Sequence, residues 1–470
     1  MRSSRLTALL AGAVAGGLVL EAAEGPADAP TADPGIRAGV AIPAAAPAEN
    51  LTSTWYCAGG TAGEGGFADH VILLANPTDR ARTASITPLV GAIATSPSVV
   101  DEAAGGSTTT VATTTTVAPT TTAETTTTTV PRPSASTVEM PPQSRVEVAL
   151  RDLVDARLAG AIVEIDGGEV AVEHQITDLR EGGGGRATAP CSSTAAREWS
   201  FPWGVTSRGA RELLVFMNPF PDDATVTIDF ATDEGTRETL RFQNFVVPGR
   251  SVVGAFVDED VTRREQVSAQ VHVGSGRLVV DRIQLFDGTD PAFEGITLGL
   301  GAPVPAEVWI FPDGNVDEGI TEQVVVFNPS DDVAEVDVEV RLDDPDVNGV
   351  PEPFELTVAP NRYAIVKLHE VDEGAAEGAP RRVPLGVGHS ILVRSLNGVP
   401  VAAERVITSS APNTNLGVSA TLGSPVAAPT WFLPGGGVTD ERDEYVTVFN
   451  LSPDSIARFS ITALAAGTRL

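Results

Sequence analysis

The stretch WSFPWGVTSRGARELLVFMNP, residues 199–219, decides the fold. A Trp opens it, and an apolar run closes it in an Asn-Pro turn. The same phrase runs from Trp55 to Asn76-Pro77, from Trp309 to Asn328-Pro329 and from Trp431 to Asn450. Self-similarity at a near-fixed period marks a repeat architecture. Three further phrases recur between these marks. One is a strand, a Pro turn and a strand: STVEMPPQSRVEVAL (136–150), LRFQNFVVPGRSVVGAFV (240–257) and FELTVAPNRYAIVKL (354–368). The next is a hairpin around Gly: 160–176, 268–285 and 389–407. The last, GITLGLGAPVPA (295–306) and GVSATLGSPVAA (417–428), leads into the next Trp.

Several runs alternate with period two, among them TVTIDF (225–230), EVDVEV (335–340) and FELTV (354–358). That is the pattern of half-buried antiparallel strands, and seven or eight per unit suits one small sandwich. The expected fold is therefore all-β: tandem immunoglobulin-like β-sandwich repeats behind an N-terminal hydrophobic export segment, with no helix expected after residue 25. The expected organisation is an export segment (1–25), an Ala/Pro-rich linker (26–54), sandwiches at 55–190, 191–303 and 304–426, and an incomplete fourth repeat (427–470). A Thr-rich tract (101–137) interrupts a hairpin of the first sandwich. Such a tract buries too little apolar surface to offset its ordering entropy, so disorder is expected there. An O-glycosylated stalk and an inert spacer are both open readings of it. The fourth repeat stops inside a hairpin, which reads as a fragment or as strands that complete the third unit.

The chain carries 62 acidic and 31 basic residues, a net charge of −31. Such a surface repels nucleic acid and anionic lipid. Arg2 and Arg5 precede an uncharged run over 6–20, the layout of a signal peptide or a retained membrane anchor. The expected location is extracytoplasmic, secreted or anchored by residues 6–20, with membrane contact only through that segment.

Cys57 and Cys191 fall near the two ends of the first unit, where a sandwich can bring them together. A disulfide is the expected pairing in an exported chain; a metal pair lacks nearby His partners. Trp55, Trp199, Trp309 and Trp431 are expected core anchors, each burying a large apolar area, with ligand stacking as the other reading. Asp344, Asp346, Asn348 and Glu355 satisfy the calcium-loop spacing. Calcium is the one cofactor expected there; the competing reading is an Asn-Gly hairpin loop in an acidic protein. The pairs Glu173-His174, Asp281-Arg282 and Glu404-Arg405 stand on corresponding strands and read as cross-strand pairs at a sheet surface. No nucleophile elbow, phosphate loop or H-E-x-x-H motif is present, so no catalytic residue is assigned.

At Trp55-Tyr56-Cys57, the Cys191…Trp199 pair and the repeated Asn-Pro turns, the chain resembles a family of exported actinobacterial proteins, domain of unknown function 5719, over about residues 50–470. The resemblance implies an export segment and an extracytoplasmic β-rich body, and it supplies no activity and no site residues. The functional expectation is a non-enzymatic cell-envelope scaffold, structural or protein-interacting, with envelope proteins or glycans as partners. A glycan-binding or accessory module of an envelope enzyme system is the alternative.

Overall fold

The structure, a computed structural model, describes residues 18–22, 42–94, 134–181, 184–291, 293–371, 380–413, 416–437, 443–452 and 455–466. Most of the expected export segment, linker and Thr-rich tract lies outside the described residues. Within them, β1 (Leu18–Ala22) is followed by three sets of strands with one shared pairing order. The first set is β2 (Thr52–Cys57), β3 (Ala68–Asn76), β4 (Arg82–Ala94), β5 (Ser136–Met140), β6 (Ser144–Ala149), β7 (Leu158–Asp166), β8 (Ala171–Asp178) and β9 (Arg186–Pro190). The second is β10 (Glu198–Phe201), β11 (Ala210–Asn218), β12 (Ala224–Thr232), a fourth strand split into β13 (Gly235–Glu238) and β14 (Phe245–Val247), β15 (Ser251–Phe256), β16 (Val267–Ser275), β17 (Val279–Asp287) and β18 (Glu294–Leu300). The third is β19 (Val308–Gly314), β20 (Ile320–Asn328), β21 (Ala334–Leu342), β22 (Phe354–Val358), β23 (Arg362–Lys367), β24 (His389–Ser395), β25 (Ala402–Ser409) and β26 (Gly417–Leu422).

In every set one antiparallel sheet runs first–sixth–third–fourth and the other fifth–second–seventh–eighth. The all-β expectation therefore holds. One short helix, α1 (Pro345–Asn348), and three single 3-10 turns depart from the expected absence of helix.

Alternation places the cores. In β21 Ala334, Val336, Val338, Val340 and Leu342 are buried while their neighbours face outward. The second strand of each set behaves differently: β11 is buried on both faces along nearly its whole length. One face packs in its own sandwich and the other beneath the neighbouring unit, so the sequence there is an unbroken apolar run.

The Asn that ends each second strand does more than start a turn. Asn218 Nδ2 donates to Asp222 O (2.8 Å) and to Val247 O (3.1 Å), tying the turn to the fourth strand. Asn328 Nδ2 repeats this with Asp332 O (2.7 Å) and Val358 O (2.9 Å). Asn76 does so with Arg80 O (2.8 Å) and Met140 O (3.2 Å).

Two joins fuse the units. The far end of β4 leaves its own sandwich and pairs in parallel with β15, Gly91 opposite Val252, giving one eight-stranded sheet across units one and two. A Cβ on Gly91 would lie inside the Val252 carbonyl, so only Gly permits this approach. The fourth repeat supplies β27 (Thr430–Leu433), β28 (Phe459–Ala463) and β29 (Ala465–Ala466). β1 lies antiparallel between β27 and β28, the place a sixth strand takes between first and third strands elsewhere. β29 pairs in parallel with β6, as β4 does with β15.

Candidate functional site

Each seam between units is built from one repeated set of residues. The loop after each Trp carries a Gly five residues on: Gly60, Gly204, Gly314 and Gly436. An ionisable residue stands six before each closing Asn: His70, Glu212, Glu322 and Glu444. The two meet, since a Cβ on those glycines would come within 2.1–2.5 Å of His70, Glu212, His389 beside Glu322, and Glu444. The acid–base pair of the seventh strand completes the set. Its base turns toward the same unit's ionisable residue, and its acid reaches the loop of the preceding unit.

Between units one and two the set is His70, His174 and Asp281, all without solvent exposure. His70 Nδ1 lies 2.8 Å from Ala159 O and must donate to it. Its Nε2 then accepts from His174 Nδ1 at 2.9 Å. His174 Nε2, left as an acceptor, faces Asp281 Oδ2 at 3.5 Å, and that oxygen also accepts from Ala58 N at 3.2 Å. Burial holds His70 down at about 4 and His174 well below its ordinary value, the latter helped by His70. Burial pushes Asp281 up to about 8, against hydrogen bonds from the Ala58 and Gly59 backbone. The cluster is therefore neutral near pH 7, which is how a sealed group of this kind avoids the cost of buried charge.

Between units two and three the set is Glu212, Arg282 and Glu404. Arg282 grips Glu404 through two parallel bonds, Nη1 to Oε2 at 3.0 Å and Nη2 to Oε1 at 2.5 Å. Arg282 also donates to Trp203 O, and Trp203 N donates to Glu404 Oε2 at 3.1 Å. This forked geometry is the strong form of a charged hydrogen bond. Glu212 receives no hydrogen bond at either oxygen, and burial pushes it up to about 8 despite Arg282 nearby. Around the pair, Trp203, Val205 and Phe286 of unit two pack on Val325, Val406 and Ala420 of unit three.

The fourth repeat meets unit one in the same way. Glu173 accepts from the Gly435 backbone, and burial pushes its carboxyl up to about 7, with Glu444 adding to the shift. Unit three carries the corresponding Glu322, with His389 Nε2 at 3.0 Å and Arg405 Nε at 4.0 Å.

Residues 171–291 match the model of a family of unknown function (DUF5719). The match is narrower than the resemblance over 50–470; it starts with the seventh strand β8 and ends shortly after the seventh strand β17. Glu173-His174 and Asp281-Arg282 both lie inside it, whereas His70 and the Ala58–Gly60 loop of that seam lie outside. A search of curated proteins finds no match. Among solved structures, Thermotoga maritima 1070 is 22% identical over 25% of this chain and 93% of that one, with a TM-score of 0.21. A sensory rhodopsin transducer from Anabaena is 21% identical over 21% of this chain and 80% of that one, with a TM-score of 0.17. At such scores neither bears on the fold or role of this chain.

The acid–base pairs are thus not surface features, as their sequence suggests. In units one and two the seventh strand lies inside a sheet whose outer face is covered by the next unit, so both faces are interior there. Trp55, Trp199 and Trp309 are buried, with Trp199 Nε1 on Leu278 O (3.2 Å) and Trp309 Nε1 on Val401 O (2.7 Å). Trp431 is only half-buried, because the described part of its unit lacks a second sheet. Cys57 and Cys191 form a disulfide with Cα atoms 4.6 Å apart. Asp344 precedes α1, Asn348 Nδ2 donates to Asp343 O at 2.5 Å, and Glu355 pairs across from Asp337 in the sheet. These residues do not converge, and no group of three His, Cys, Asp or Glu residues able to hold a metal is found among the described residues. No described helix is long and apolar enough to cross a membrane.

Proposed function

We propose that this chain is a non-enzymatic, exported scaffold of the cell envelope in which tandem sandwiches are locked into one body. The seams carry this reading. Their ionisable groups are sealed from solvent and committed to holding neighbours together, and a substrate could not reach them. The disulfide suits an oxidising compartment. The strongly acidic exterior suits a soluble or surface-displayed body more than one that binds nucleic acid. Glycan binding is the weaker reading, since three of the four repeat Trp side chains are buried and offer no stacking platform.

The test is fractionation of cells producing the full chain, followed by thiol labelling under denaturing, non-reducing conditions. Recovery outside the cytoplasm with both cysteines blocked is expected. A cytoplasmic protein with two free thiols would contradict the proposal.

A further inference from the structure

We propose that a recess on unit two is a binding site for a phosphate group, free or esterified. This inference stands apart from the scaffold reading and from where the protein resides. The recess has a volume of about 290 Å³ and lies between the loop before β11 and the loop before β16. Arg208, Arg211 and Arg263 line it, and so does Thr262. Asp258 is the one acid among the described residues that lines it. Backbone bonds set the bases in place. Ala210 N donates to Ser207 O at 3.0 Å, so Arg208 sits at the corner of a tight turn. Arg263 N donates to Thr206 O at 2.8 Å and Thr206 N donates to Arg264 O at 2.9 Å, which zips the two loops together. Arg263 is held there at a left-handed φ of 59°, a conformation that residues other than Gly seldom adopt.

Charge marks the place. Arg211 is met by Asp258, Nε to Oδ2 at 3.0 Å, and its guanidinium lies over the Phe256 ring. Arg264 next door is taken up by Asp233 and Glu234. Asp287 stands beside Gly209, where its Oδ1 accepts from Thr289 N (2.9 Å) and Thr289 Oγ1 (2.6 Å). Arg208 and Arg263 are exposed and form no ion pair or side-chain hydrogen bond among the described residues. Unit three builds the same turn, with Ile320 N donating to Asp317 O at 3.0 Å. Its residues there are Asp317, Glu318 and Thr321, in place of Ser207, Arg208 and Arg211. The turn therefore needs no base, yet unit two carries one in a chain whose net charge is −31. Screening limits exposed charges to a range of about 8 Å at physiological salt, so distant acids do not cancel two unpaired guanidinium groups.

A phosphate suits this arrangement. Guanidinium groups arriving from two loops and from β11 can each take a different oxygen of a tetrahedral group, whereas a carboxylate offers a single plane. The volume falls just below the range of about 300–1,000 Å³ typical of pockets that enclose a whole small molecule. The recess therefore takes the charged group and leaves the remainder of an ester outside.

The test is labelling of the full native chain with phenylglyoxal, an arginine reagent, read residue by residue by mass spectrometry. Inorganic phosphate, glycerol 3-phosphate and acetate are compared at equal ionic strength. Both phosphates should slow labelling of Arg208 and Arg263 in a saturable way and leave Arg250, exposed at the other end of β11, unchanged. Protection at lower concentration by glycerol 3-phosphate assigns an ester as the source, and equal protection assigns the free ion. Arg208→Glu copies the residue that unit three carries in this turn, so it leaves the fold intact. It should raise the phosphate concentration that half-protects Arg263 by about tenfold or more, the loss expected for one charge-assisted bond. Arg250→Glu makes the same change in net charge and should leave that concentration where it was. Absence of protection, equal protection by acetate, or equal shifts from Arg208→Glu and Arg250→Glu would overturn the proposal.

Discussion

Arg282 and Glu404 show what a single pair does at a seam. Breaking a buried ion pair from one side leaves an uncompensated charge, at a cost of about 3–5 kcal/mol. Arg282→Met should therefore lower the denaturant midpoint sharply, whereas Arg282→Met with Glu404→Leu should recover most of the loss. Equal damage from the single and double variants would contradict the ion-pair account. Asp281 makes a different prediction, through pH. Its folded pKa of about 8 lies above its ordinary value of 3.8. A raised pKa gives stability that is complete below the unfolded value and is lost as pH rises through the folded one. Asp281→Asn, with its amide oxygen at the Oδ2 position, keeps the acceptor for Ala58 N and cannot ionise. Unfolding free energies at pH 5 and pH 8 should favour the variant increasingly at the higher pH. His70 works the other way: its folded pKa of about 4 lies below 6.5, so its contribution is lost as pH falls. These residues were legible only in part. The acid–base pairs stand out in the sequence, but their burial depends on a neighbouring unit that strand alternation does not report. His70, Glu212, Glu322 and Glu444 would have been found by counting six back from each Asn.

At the scale of the strand, the sequence is a better guide. Alternation located the third strands, and unbroken apolar runs located the second strands because both of their faces are interior. The exception is β4, whose thirteen residues pair with β5 and β7 and then, at the far end, with β15. Its excess length and Gly91 are visible in the sequence, but the parallel join they permit is not, since it depends on how two units meet. The Asn clasp is a property of the turn. Asn328→Ala leaves the Val358 and Asp332 carbonyls without their donor and should cost about 1–3 kcal/mol in denaturant unfolding. Asn450 donates to Ser455 O at 2.6 Å, but no described fourth strand stands beside it. Asn450→Ala should therefore cost distinctly less than Asn328→Ala, and equal losses would count against the clasp.

Across the whole molecule, covalent and non-covalent ties act at different places. The Cys57–Cys191 disulfide spans 134 positions, and a loop of that size stabilises by about 5 kcal/mol in the chain-entropy model. Cys57→Ser with Cys191→Ser should lower the unfolding midpoint of unit one more than that of unit three. The seams do the opposite: they spread the effect of a local change across a boundary. The sequence shows the units as a row of beads, because repeats are read one period at a time. The structure joins them through residues that each period contributes to its neighbour. Glu404→Leu tests this most directly, followed by hydrogen exchange along the full chain. Cooperative seams predict faster exchange on both sides, in residues 202–206 of unit two as well as β25 of unit three. Loss of protection confined to unit three, with 202–206 unchanged, would contradict the account.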